Sequence, residues 1–74
     1  MKGRKRTGSD INRAKIKALL KRHDMTVEDL AEGTGYVEGS LWQALRMGYM
    51  SGDMLRAVAD MLYVNVEELK ADVD

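Results

Sequence analysis

Cysteine and proline are both missing from this chain of 74 residues, and aromatic side chains make up only 5% of it. Without cysteine, neither a disulfide nor a thiolate metal site can staple the fold, and a reducing cytoplasm is the compartment that fits. With few aromatics, no proline and a supply of Leu, Met and Ala, the composition favours helices over strands. No run of eighteen apolar residues occurs, and no apolar h-region follows the basic N-terminus. Both facts argue against a membrane span and a secretory signal, so the expectation is a protein of the cytoplasm. The length allows one small domain whose core is close to the minimum that folds unaided, a marginality that dimerisation would relieve.

What is present is unevenly distributed charge. Residues 1–22 hold nine Lys/Arg against Asp10 alone, whereas residues 23–74 hold three Lys/Arg against eleven Asp/Glu. Attraction to a polyanion therefore has to come from the N-terminal third. Residues 1–9 carry four positive side chains and no apolar periodicity, which predicts a flexible basic arm followed by a single domain over residues 10–74.

Periodicity divides that domain into helices. The first begins after Ser9, Asp10 or Asn12 and runs to about His23, with Ile16, Leu19, Leu20 and His23 facing inward and Arg13, Lys17 and Lys21 forming a basic flank. The second covers about Val27 to Gly33; Thr26 is its N-cap, with Asp29 three residues on to complete a capping box. Gly35 is able to take the positive φ that ends this helix sharply. The third covers about Glu38 to Met47, with Gly48 as its stop. The fourth opens at Ser51 or Gly52 and buries Leu55, Val58, Ala59 and Leu62, and Asn65 caps a last short helix through about Ala71. No strand is predicted.

Enzymatic chemistry finds little support. His23 lacks a second histidine or cysteine ligand, and the carboxylates of Glu67, Glu68, Asp72 and Asp74 fall in a helix first turn and a tail, without a pocket to raise a pKa. Neither a cofactor nor a metal is expected. Two short helices joined by a glycine turn form instead a helix-turn-helix, a unit that presents its second helix to the DNA major groove.

At this point the chain resembles the Cro/repressor-type helix-turn-helix family of phage and bacterial transcriptional regulators. The match runs through Ile16-Lys17-Ala18-Leu19-Leu20, Met25-Thr26, Leu30-Ala31-Glu32, Gly35 and Leu41. It continues through Leu55, Val58-Ala59, Leu62-Tyr63-Val64 and Val66-Glu67-Glu68-Leu69. The order and spacing carry the likeness. Against the family's usual pattern, Val37 and Gly39 stand where Ser, Thr, Asn or Gln are common, and Leu45 and Met47 where a Glu and a Gly often fall. The resemblance implies an all-α, lambda-repressor-like bundle of four to five short helices, a homodimer, and a protein located on the nucleoid through double-stranded DNA.

The candidate DNA contacts follow. In the arm they are Lys2, Arg4, Lys5 and Arg6; at the start of the second helix, Thr26 and Val27; on and beside the third, Val37, Glu38, Gly39, Trp42, Gln43 and Arg46. Gln suits an adenine edge, a carboxylate accepts from cytosine N4, Arg reaches guanine or phosphate, and glycine permits close approach. On a helical period Val37, Leu41, Ala44 and Leu45 fall on the opposite, core side. Trp42 has three readings: inward as core, outward on DNA, or outward as the anchor of a protein partner. With Met47, Tyr49, Met50 and Met54 it could form an adaptable apolar patch. The alternative function is accordingly an antirepressor-like module that binds a protein through the Trp42 face.

Overall fold

Helix boundaries follow from the caps. In a computed structural model of the protein, which describes residues 8–71, the Asn12 side chain accepts the Lys15 amide at 3.0 Å and starts helix α1 (Arg13–Arg22). Thr26 and Asp29 complete a reciprocal box at 3.1 and 2.9 Å and start α2 (Val27–Thr34). Gly35 sits at φ 85° and its amide bonds back to the Ala31 carbonyl, so the chain leaves α2 through a left-handed residue that a Cβ would strain. Three residues later α3 (Glu38–Met47) begins, ending at Gly48. Ser51 caps α4 (Gly52–Leu62) by accepting from the Met54 amide at 3.3 Å.

The last helix differs from expectation. Helix α5 is a single turn, Val66–Leu69, and Asn65 makes no side-chain capping bond to it. It stops early because the chain beyond is drawn into other pairing: the Ala71 amide donates to the Asp10 carbonyl at 3.0 Å, and Lys70 bridges Ile11.

A further departure is a two-stranded antiparallel sheet in a chain for which no strand was predicted. Strand β1 (Gly8–Asp10) pairs with β2 (Tyr49–Ser51), Gly8 facing Ser51 and Asp10 facing Tyr49. Gly8 and Ser9, assigned from composition to the flexible arm, thus lie in regular structure, while residues 1–7 fall outside the described region. A three-residue strand is too short to show alternation, and its partner lies far away in sequence, so neither periodicity nor a turn signal could mark it. Gly8 is required here for space. A Cβ at this position would run into the Met50 carbonyl oxygen and the Ser51 Cα, both backbone atoms that cannot swing aside. Gly8→Ala is therefore expected to separate the strands and destabilise the domain by about 1–3 kcal/mol. A melting curve superimposable on that of the parent would show that the pair contributes nothing.

The core is continuous through the helices. Ile16, Leu30, Leu41, Leu55, Val58, Leu62 and Leu69 are all but sealed from solvent, and Leu19, Leu20, Leu45, Met50 and Met54 close around them. The expected grouping of Leu30, Leu41, Val58 and Leu62 is present. His23 ends α1 as expected, and its ring reaches the C-terminal end of α4: Nε2 lies 3.1 Å from the Leu62 carbonyl, and the ring packs at a tilt against Tyr63 with centroids 5.7 Å apart. Because a carbonyl only accepts, Nε2 carries the proton in this contact. Among the described residues no helix is long and apolar enough to cross a membrane.

Candidate nucleic-acid interface

Helix α3 turns Leu41, Ala44 and Leu45 inward, and that leaves Glu38, Gly39, Trp42, Gln43 and Arg46 together on its outer face. Helical period puts these five on one side, and all five are exposed there. Val37 corrects the same reading. Helical period puts it on the core side, but it is 68% exposed, because it is the N-cap of α3, with extended backbone outside the helical period. Its exposure leaves it beside Glu38 at the mouth of the helix-turn-helix.

Trp42 is neither core nor free indole. It is 49% exposed, and its ring N–H donates to Glu38 Oε2 at 3.0 Å, one helical turn away. The i, i+4 spacing brings the two side chains together on one face of the helix. One oxygen of Glu38 is thereby engaged within the protein. By contrast, the Gln43 amide has no protein hydrogen-bond partner among the described residues, so both its donor and its acceptor face outward unspent. The apolar patch proposed around Trp42 divides: Met50 and Met54 are buried, whereas Met47 stays exposed.

The start of α2 contributes less than expected. Val27 is buried, and Thr26 Oγ1 is occupied as the acceptor of the Asp29 amide. Glu28 and Asp29 stand in the same first turn, where they suit the helix dipole but repel a phosphate. Lys2, Arg4, Lys5 and Arg6 lie outside the described residues.

The structure adds an element the sequence reading did not assemble. Along α1, the basic flank lies next to the C-terminal half of α3, and Arg13 Nη1 approaches the Leu45 and Arg46 carbonyls at 3.5 and 3.4 Å, a cation against the negative end of a helix. Between the two helices runs a groove of about 790 Å³ that reaches the turn at Asp24 and Met25. Leu20, Met25, Val27, Leu45 and the Trp42 indole make its walls apolar. Its edge carries Arg13, Lys17, Lys21 and Arg46, none within ion-pair distance of a carboxylate among the described residues. Lys15, on the other side of α1, is instead turned toward Glu68 of α5 at 3.9 Å. The four cations belong to two helices, and only the fold brings them to one rim.

Comparison with known proteins agrees with this geometry. The family model of the Cro/C1-type helix-turn-helix DNA-binding domain matches residues 15–74, from the third residue of α1 onward. Searches of curated proteins and of solved structures returned no match.

Proposed function

The chain belongs to the Cro/C1-type helix-turn-helix DNA-binding family, and we propose that it is a sequence-specific transcriptional regulator of repressor type that lays α3 in the major groove. The observation supporting this reading is the outer face of α3, where an unpaired Gln43 amide stands between Gly39 and Arg46 on a helix held rigid by its buried side. Gln43 suits the N6/N7 edge of adenine, and Arg46 reaches guanine or a phosphate. Nothing lies within 4 Å of the position a Cβ would take at Gly39, so that spot is open for a close approach by DNA. Val37 offers methyl groups to a thymine, and Glu38 retains one oxygen for cytosine N4 while the other holds Trp42. Thr26 and the Val27 amide flank the sugar-phosphate backbone.

Lys2, Arg4, Lys5 and Arg6 supply the phosphate neutralisation that the acidic body lacks. A homodimer would present two copies of α3 to half-sites roughly 34 Å apart and double the modest interface of a single module. Selection of duplexes from a random pool tests the whole reading: a two-fold symmetric sequence is the expected product, and failure to enrich any sequence rejects it.

The arm has its own signature. Replacing Lys2, Arg4, Lys5 and Arg6 by Gln is expected to weaken binding to all duplexes alike. The slope of log affinity against log salt should flatten by up to about 0.9 for each phosphate that is no longer neutralised. An unchanged slope would return these charges to solvent.

A further inference from the structure

We propose that the groove between α1 and α3 is a docking site for an acidic amphipathic helix of a partner protein. The cations Arg13, Lys17 and Lys21 recur every four residues along α1, and Arg46 faces them from α3. Successive cations are thus about 6 Å apart over a total of about 12 Å. A partner helix with carboxylates at i, i+4 and i+8 repeats that spacing over the same two turns. The walls of the groove are apolar, with the Trp42 indole half exposed among them, and an apolar stripe beside such carboxylates would fill it.

Charge and shape together favour this occupant. A DNA backbone would use the cations but leave the apolar trough unfilled, and a small carboxylate would fill part of the trough but pair with one cation; Arg13 also holds the α3 carbonyls, and the one acidic lining residue, Asp24, stands at the turn beyond Lys21. A helix answers both features, and an aromatic side chain in a groove wall is a common energetic centre of such interfaces. The docking itself does not depend on how α3 reads DNA. Its consequence for regulation does rest on that reading: Trp42 and Arg46 serve both the groove and the outer face of α3, so helix and duplex exclude each other.

Trp42 is the only tryptophan of the chain and lines the groove, so its fluorescence reports occupancy without a label. The probe is a synthetic tryptophan-free helical peptide with a Leu stripe flanked by Glu at i, i+4 and i+8; the control carries Lys in place of those Glu. The expected result is a saturable shift of Trp42 emission with the Glu peptide and none with the Lys peptide. In the Lys17→Glu/Lys21→Glu protein the preference should invert. The Glu peptide should lose about tenfold or more in affinity, and the Lys peptide should bind in its place. Both lysines are exposed; should that double variant not fold, Lys17→Gln/Lys21→Gln removes the same pairs with a smaller change and should also weaken the Glu peptide. Equal responses to both peptides, or none to either, would overturn the proposal. So would saturable binding of laurate without peptide binding, which would make the groove a small-molecule site. Loss of duplex affinity in the lysine variants without any peptide binding would assign the rim to DNA alone. Displacement of duplex by the Glu peptide is scored separately, so a protein that binds no duplex still tests the docking.

Discussion

Leu41→Ala should remove about 2–5 kcal/mol of stability. Leu41 is 1% exposed and is the most deeply buried of the three side chains, with Ala44 and Leu45, that hold α3 against the core. Ala44 has little surface to offer, so a cavity at Leu41 leaves the helix attached mainly through Leu45 at its far end. For a domain of 74 residues, total stability is expected at about 4–11 kcal/mol, and this one truncation consumes a large share of it. Urea denaturation should show the midpoint falling with little change in slope. A midpoint within error of the parent would mean that α3 is not fastened by this face, and the outward placement of Trp42, Gln43 and Arg46 would fail with it.

Gln43→Ala should separate reading from holding. The side chain has no protein partner among the described residues, so its removal should leave the melting temperature in place. Against the best selected duplex the loss is expected at about 1–3 kcal/mol, concentrated at one base pair, while affinity for unrelated duplexes stays nearly constant. A uniform loss across all sequences would instead place Gln43 on the phosphate backbone. No loss at all would remove it from the interface.

Local chemistry was legible in the sequence and long-range chemistry was not. The bounds of α3, Glu38–Met47, follow from an apolar period closed by a glycine, and the Thr26–Asp29 box and the left-handed Gly35 are decided within a few residues of themselves. Val37 departs from the core side that helical period predicts because it stands one residue before the backbone becomes helical. Val27 looked available because it opens a helix, but nothing local shows that the same residue turns into the core. The β1–β2 pair, the Arg13 contact with the end of α3 and the groove beside it each join segments tens of residues apart, and a linear pattern carries no term for that juxtaposition. Within α3, helical period suffices to put Glu38, Gly39, Trp42, Gln43 and Arg46 on the solvent side, whereas the internal Glu38–Trp42 bond shows only in the structure.

The pairing of β1 with β2, together with the bonds from Ile11 to Gly48, from Asn12 to Leu69 and from Ala71 to Asp10, fastens both ends of the described chain to each other and to the α3–α4 junction. The partners in β1 and β2 stand roughly forty residues apart in sequence, so their contact must wait until the helices between them have brought the segments close. Interactions that form after the folding barrier scarcely affect how fast the chain folds but strongly affect how fast it comes apart. The clasp is thus expected to act as a kinetic latch: loosening it should speed unfolding in stopped-flow measurements while leaving the folding rate nearly unchanged.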